Sequence, residues 1–268
     1  MPRSGSTLLF DLLSTHEAVR SWEFEAYNAW KAVDPSISQS EYGEGFHPEL
    51  VDADAWRRAE RALHKGALGL RWRERLRLVR YRLVEKTPAN VIRVRALYEM
   101  FPDAFFIYLT RDAPQNIASL LEGRERGLAA RGWARARGYD WHFLMPVGWI
   151  DHVDEPPAAQ FAWQWQVGNQ TALDDFADLP TNRWRRVRYE DLVADAQGVL
   201  ADLLEFCELA PSPAVTRAAT ELAPSRVTLS APDSSKWLAR ADEIGPVLPA
   251  LASMRARLGY QPEQVPNT

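Results

Sequence analysis

Apolar positions along this chain follow two spacings, one typical of helices and one typical of short buried strands. Four leucines between positions 8 and 13 recur with helical spacing and predict a helix at 6–14. Residues 105–109 are almost wholly apolar and predict a strand that is buried on both faces. By the same criteria, further helices are predicted at 52–76, 90–100, 114–121, 158–176, 192–208 and 242–258, and further strands at 19–24, 82–85 and 184–189.

Strands that alternate with helices in this way predict an α/β protein with a central parallel sheet between two layers of helices. We predict one domain over residues 1–268, interrupted by an irregular insert rich in Gly, Arg, Trp and Pro at 123–160. In such sheets ligands bind beyond the carboxyl ends of the strands. The polar motifs of this chain fall at predicted strand ends or in loops.

Composition narrows the class of protein. The net charge of −4 argues against a general basic surface for nucleic acid. The single Cys207 excludes an intrachain disulfide, is typical of a reducing compartment, and is expected to be a packed thiol rather than a nucleophile. No signal peptide and no apolar run near 18 residues is found, so we expect a cytoplasmic protein without a membrane span.

The opening loop is the first candidate binding element. Arg3, Ser4, Gly5, Ser6 and Thr7 lead directly into the predicted helix at 6–14. Backbone N–H groups at such a helix start can bind an anion. The loop is not the phosphate loop of nucleoside triphosphatases, because no Lys follows a second Gly. The alternative is a plain turn followed by a helix whose start is capped by these hydroxyls.

A second candidate element follows the buried strand. Arg111 comes directly after the strand, and Ser119 lies eight residues further on, about two helical turns away. A guanidinium fork and a hydroxyl in this arrangement can converge on one phosphate. The alternative is a structural salt bridge between Arg111 and Asp112 or another acid, with Ser119 facing solvent.

Five segments together resemble the sulfotransferases that use 3′-phosphoadenosine 5′-phosphosulfate (PAPS). Residues 2–9 (Pro-Arg-Ser-Gly-Ser-Thr-Leu-Leu) resemble the 5′-phosphosulfate loop of that family, and residues 108–120 resemble its 3′-phosphate segment. The others are Glu-Lys-Thr-Pro at 85–88, Arg-Tyr-Glu-Asp-Leu-Val at 188–193 and Ser-Lys-Trp at 235–237. The resemblance is to the bacterial-type branch and implies a P-loop-like three-layer α/β/α fold.

The resemblance also implies roles in a PAPS site. Residues 3–7 would wrap the 5′-phosphosulfate mainly through backbone N–H groups. Arg111 and Ser119 would hold the 3′-phosphate, the group that distinguishes PAPS from ATP. The C-terminal element would close the nucleotide site with Ser234, Ser235 and Lys236. We assign 189–191 a structural role, as a strand end followed by an N-capping Asp191.

The implied reaction is in-line transfer of a sulfuryl group to a hydroxyl, which leaves adenosine 3′,5′-bisphosphate (PAP). Cations must lie where charge develops, and Arg3, Lys86 and Lys236 are the candidates. Glu23 and Glu25 are the candidate general bases; they share one face of the predicted strand, so spacing does not distinguish them, and we favour Glu23. The alternative is that both are solvated acids. No metal is expected, because no Asp, Glu and His cluster has ligand spacing.

The insert at 123–160 is the expected acceptor-specificity element. Its aromatic residues could line a pocket for a small-molecule or carbohydrate acceptor, or could simply pack the insert onto the core. They are Trp133, Tyr139, Trp141, Phe143 and Trp149. The motifs identify neither the acceptor nor the number of subunits.

Two other functions and one structural expectation follow from the same residues. The alternatives are a P-loop phosphotransferase, disfavoured by the missing Gly-Lys-Ser, and a non-catalytic nucleotide-binding relative. In the implied fold a central strand of roughly five residues leads into Pro2, whereas this sequence begins at Met1. We therefore expect either that the true start lies upstream or that the sheet has a gap and the protein is poorly stable.

Overall fold

The strands and helices are taken from a computed structural model that describes residues 1–21, 25–39, 42–46, 53–68, 81–223 and 235–261. Within these ranges the strands are β1 (Val19–Ser21), β2 (Arg82–Val84), β3 (Phe106–Thr110) and β4 (Trp184–Arg188). The α-helices there are α1 (Ser6–Leu13), α2 (Tyr27–Val33), α3 (Ala53–Leu68), α4 (Val94–Met100), α5 (Ala113–Glu125), α6 (Gly132–Arg135), α7 (Pro157–Ala177), α8 (Tyr189–Ala194), α9 (Ala196–Phe206), α10 (Pro213–Glu221), α11 (Ala241–Ile244) and α12 (Leu248–Arg257).

The strands form two separate parallel pairs instead of the single predicted sheet. β1 pairs with β2, and β3 pairs with β4 in a register that places Tyr108 opposite Arg186. In the part of the chain that the structure describes, no strand joins the two pairs. A two-stranded unit is marginal by itself, so each pair depends on the helices that cover it.

Successive residues of β3 point into two different cores. Phe106 and Tyr108 pack in the main core with α5, α7 and α12, whereas Ile107 and Leu109 pack with α1, α9 and α10. This is the period of two that a strand imposes on its side chains. The β3–β4 pair therefore has helices on both faces. Each fully buried side chain, such as Ile117 of α5, contributes about 1.5–3 kcal/mol.

A third core covers the β1–β2 pair. Trp30 of α2, Leu63 of α3 and Leu97 of α4 are buried together, and Leu83 of β2 packs against them. The sequence pattern did not predict α2, which is only seven residues long. None of the helices in the described ranges is long and apolar enough to span a membrane.

The predicted helices at 192–208 and 242–258 are each interrupted. Asp195 accepts a hydrogen bond from a backbone N–H three residues on and begins α9, so Asp195 is the N-cap and the prediction of Asp191 is wrong. Asp191 lies instead in the first turn of α8. Pro246 lies in the short 3-10 turn that separates α11 from α12.

Candidate functional site

The opening loop has a strained backbone. Arg3 and Gly5 adopt left-handed conformations, with φ of +59° and +86°. For a residue other than glycine this conformation costs about 1–2 kcal/mol, and such strain is concentrated at functional sites. Gly5 is the N-cap of α1 and no side chain caps the helix, so the predicted hydroxyl cap is wrong.

Tyr189 explains why position 5 is glycine. A Cβ atom on Gly5 would lie 2.3 Å from Tyr189 Cδ2, so the ring occupies the space of a side chain. The same ring lies 4.6 Å from the Arg111 guanidinium carbon. The sequence analysis assigned Tyr189 only a structural role. Tyr189 lies directly after β4, and ligands of parallel sheets bind beyond the carboxyl ends of the strands. This position is the sequence signal that could have indicated that Tyr189 lies beside the candidate site.

Asn116 anchors the opening loop through two hydrogen bonds. Its Nδ2 donates to the Pro2 carbonyl at 3.0 Å and to Ser4 Oγ at 3.1 Å. Ser4 is fully buried, so its hydroxyl faces the interior and not a ligand. Only the backbone of Ser4 remains for the predicted contact with a donor. The sequence analysis assigned no role to Asn116.

The structure brings the two predicted anion-binding elements together. Arg3 Nε donates to Ser119 Oγ at 3.1 Å, and Arg111 Nη1 donates to the Arg3 carbonyl at 3.0 Å. The alternative salt bridge between Arg111 and Asp112 is not formed, because Asp112 pairs with Arg255 instead. Asp112 Oδ2 lies 2.7 Å from Arg255 Nη2. Arg3, Arg111 and Ser119 thus form one cluster.

Arg111 is a partly buried cation whose hydrogen bonds are incomplete. In the described structure its Nε is buried and has no hydrogen-bond partner. Burial lowers the pKa of Arg111, and the nearby Tyr189 and Glu190 only partly oppose this. An unsatisfied buried donor costs about 1–3 kcal/mol, and each such group calls for an explanation. An oxyanion ligand would satisfy it.

The C-terminal element forms a 3-10 turn, Lys236–Arg240, that packs against α5. Trp237 is buried in the main core and anchors the turn beside the helix that supplies the serine of the loop contact. Lys236 is half-buried and Ser235 is exposed. Ser234 lies outside the described residues.

Lys86 and Glu25 form an ion pair, with Nζ 2.9 Å from Oε1. Both are partly exposed, whereas the neighbouring Glu85 is directed inward and accepts hydrogen bonds from Thr87 Oγ1 at 2.5 Å and Asn90 Nδ2 at 2.6 Å. Burial raises the pKa of Glu85, and these hydrogen bonds oppose the rise. These contacts give Glu85 a structural role, whereas Lys86, two residues after the end of β2, pairs with Glu25.

Of the two candidate bases, only Glu25 lies among the residues that the structure describes. Glu25 is partly buried and paired with Lys86, so it is not a fully solvated acid. Glu23, which is the favoured base from the sequence, lies outside the described residues.

Cys207 is the packed thiol that was expected: burial raises its pKa to about 11, and the thiol stays protonated at neutral pH.

The insert is tied to the rest of the protein by a buried ion pair. Glu44 is completely buried and accepts from Arg131 Nη2 at 2.8 Å, from the Tyr27 hydroxyl at 3.1 Å and from the Met145 N–H at 3.1 Å. Arg131 also donates to the Phe143 carbonyl at 2.6 Å. Burial alone would lower the pKa of Arg131. The interactions with Glu44 and Tyr27 outweigh that effect, so the pKa is raised overall.

Most of the insert's aromatic side chains pack inward. Trp141 and Trp149 are 1% and 0% exposed, and their rings lie 5.3 Å apart at the centre of a small separate core. Phe143 is buried in the main core. For these three the packing alternative holds, whereas Trp133 and Tyr139 remain partly exposed at the edge of the small core. Among the described residues, no cluster of His, Cys, Asp and Glu could hold a metal ion.

Comparison with known proteins gives one family and several related folds. The model of a family described as the sulfotransferase family matches residues 1–213. No curated protein matches the chain. The sulfotransferase domain from the curacin biosynthetic pathway is 21% identical, with a TM-score of 0.50 over 91% of this chain and 94% of that one.

Two mycobacterial structures are similar in fold. Sulfotransferase STF9 from Mycobacterium avium is 15% identical, with a TM-score of 0.54 over 97% of this chain and 76% of that one. Sulfotransferase STF1 from Mycobacterium tuberculosis H37Rv is 16% identical, with a TM-score of 0.52 over 92% of this chain and 74% of that one. At these identities the similarity shows the fold alone.

Proposed function

Because the chain belongs to the sulfotransferase family, we propose that it transfers a sulfuryl group from PAPS to a hydroxyl of a small-molecule or carbohydrate acceptor. One observation carries the choice of donor: the partly buried Arg111 guanidinium beside the opening loop has an Nε without an acceptor. The helices on both faces of the β3–β4 pair support the P-loop-like three-layer arrangement that such a donor site requires.

The residues present fit this donor. A 3′-phosphate oxygen would satisfy Arg111 Nε, and Ser119 and Arg3 already lie in contact beside it. The backbone of residues 4–7, at the start of α1, would bind the 5′-phosphosulfate. Lys236 would close the nucleotide site from the turn packed on α5. PAPS itself supplies an activated sulfuryl group.

The chain's own residues would contribute charge and a proton acceptor. As the acceptor oxygen bonds to sulfur, the bond from sulfur to the bridging phosphate oxygen breaks and its electron pair leaves with PAP. Lys86 and Arg3 would stabilise the negative charge that develops there. Glu25, held 2.9 Å from Lys86, would accept the hydroxyl proton, which is typically worth about 10²–10⁴-fold in rate. Glu23 stays the alternative base.

Nucleotide binding tests the choice of donor. We expect calorimetry to show that PAP binds roughly 10–100-fold more tightly than AMP, because a hydrogen bond to a charged group contributes about 1.5–3 kcal/mol. Arg111→Ala should remove this preference, whereas Arg185→Ala, which breaks an exposed pair with Asp202, should not. Equal binding of PAP and ADP by the wild type would instead favour a phosphotransferase.

Turnover tests whether the site is catalytic. We expect sulfur-labelled PAPS and an extract of the source cell to give a labelled product with the wild type. Lys86→Ala should lose at least about 10²-fold in rate, and the base should be whichever of Glu23→Gln and Glu25→Gln loses about 10²–10⁴-fold. Tight PAP binding without any labelled product would indicate the non-catalytic relative.

A further inference from the structure

Three residues of α5 and its end share one face of the helix. Ser119, Glu122 and Arg126 are spaced by three and four residues, which places their side chains in one row. Arg126 Nη2 pairs with Glu122 Oε1 at 2.8 Å. Side chains on a helix lean toward its N-terminus, so Arg126 is directed along this row toward Ser119, the residue that contacts Arg3.

Charges in this row act on Arg3, which belongs to the cluster of Arg3, Arg111 and Ser119. Burial lowers the pKa of Arg3; Glu122 acts against that shift, while Arg111 and Arg126 reinforce it. Arg3 therefore lies within the electrostatic reach of both Arg111 and Arg126, and Glu122 opposes their effect from α5, where it pairs with Arg126. Such a concentration of positive charge in a protein of net charge −4 favours a ligand with more than one negative charge.

We propose that Arg126 is a third cation of the donor site and exchanges Glu122 for the 3′-phosphate when the nucleotide binds. This inference rests on the proposed function, because it assumes the same nucleotide pocket. The side chain of Arg126 is 51% exposed, so it can change partners without crossing the core. A phosphate group carries up to two charges and competes effectively with one carboxylate for a guanidinium.

The exchange predicts opposite effects for the two partners. Arg126→Ala should weaken PAP binding by about 5-fold, the upper range for an exposed ion pair, and should change AMP binding less than two-fold. Glu122→Gln should tighten PAP binding by roughly 2–5-fold, because it frees Arg126 and removes a repelling charge. Both effects should shrink as salt concentration rises.

Arg124→Ala is the matched control for calorimetry with PAP and AMP. It removes the same charge two residues away, from a side chain that pairs with Asp140 instead, and should leave both affinities within two-fold. The inference is overturned if Arg126→Ala binds PAP like the wild type, or if it weakens PAP and AMP equally. Failure of the proposed function is distinguishable, because then the wild type itself would show no preference for PAP over AMP.

Discussion

Arg111 and Arg131 are both partly buried arginines, but their surroundings are opposite. Arg131 is paired with the buried Glu44 and contacts Tyr27, and its pKa is raised despite burial. Burial lowers the pKa of Arg111, whose Nε has no acceptor in the described structure. A buried cation with its partners in place holds elements together. Arg111 lies beside the opening loop, where the proposed ligand would supply the missing acceptor.

The same contrast extends to the segments around the two arginines. Near Arg111 the opening loop keeps Arg3 in a strained left-handed conformation, held by contacts with Ser119 and Arg111. Near Arg131 the insert buries Trp141 and Trp149 completely. We propose a ligand for the first region, whereas the second stabilises the insert.

Replacing each arginine by methionine is the strongest test of this comparison. We expect Arg131→Met to lower the free energy of unfolding by about 3–5 kcal/mol, because Glu44 would remain as a buried carboxylate without its counter-charge. Arg111→Met should cost only about 1 kcal/mol, the value of its hydrogen bond to the Arg3 carbonyl. Urea unfolding of the two variants measures the difference.

A double variant separates the lost charge pair from lost packing. Combining Arg131→Met with Glu44→Gln should recover part of the stability lost in Arg131→Met, because no unpaired charge remains. The exposed pair of Arg185 and Asp202 is the reference, and Asp202→Asn should cost less than about 1 kcal/mol. The comparison fails if Arg111→Met is as destabilising as Arg131→Met.

The local part of this architecture could be predicted from the sequence. The buried strand at 105–109 and the helix that follows it are encoded in the local pattern of apolar residues. Arg3, Arg111 and Ser119, the proposed phosphate-binding residues, stand out in short motifs. The partition of β3 between two cores follows from the strand period alone. These features depend on neighbours in the chain.

The unpredicted features depend on residues that are distant in the chain. Asn116 contacts Ser4 across 112 positions, and Glu44 contacts Arg131 across 87. Neither contact has a periodicity that sequence analysis can detect. The aromatic residues of the insert show the same limit, because composition does not reveal whether Trp149 faces a pocket or a core.

A polypeptide prepared to begin at Met1 would have a third buried ionisable group, its α-amino group, which tests the comparison through its proton. In that polypeptide burial lowers the pKa of the amine from 8.0 to about 5. Unlike an arginine, an amine without a partner can release its proton. Between pH 5 and 8 the unfolded chain binds more protons, so stability should rise with pH by up to about 4 kcal/mol.

Urea unfolding at pH 5, 6.5 and 8 measures this dependence. Acetylation of the Met1 amine removes the titrating group, so the acetylated chain should show a smaller rise over the same range. Any steric effect of the acetyl group changes stability at every pH and leaves the slope unaffected. Identical slopes with and without acetylation would show that the amine is not buried in its neutral form.

The last test of the comparison is the stabilisation that the missing acceptor should bring. At 100 times its dissociation constant, PAP should add about 2.7 kcal/mol to the unfolding free energy of the wild type. Arg131→Met should gain the same amount, because that arginine lies outside the proposed nucleotide site. Arg111→Met should gain much less at the same PAP concentration, although its stability without ligand is nearly that of the wild type. Urea unfolding with and without PAP measures the three gains. If PAP stabilises both variants equally, the incomplete hydrogen bonding of Arg111 does not mark the nucleotide site.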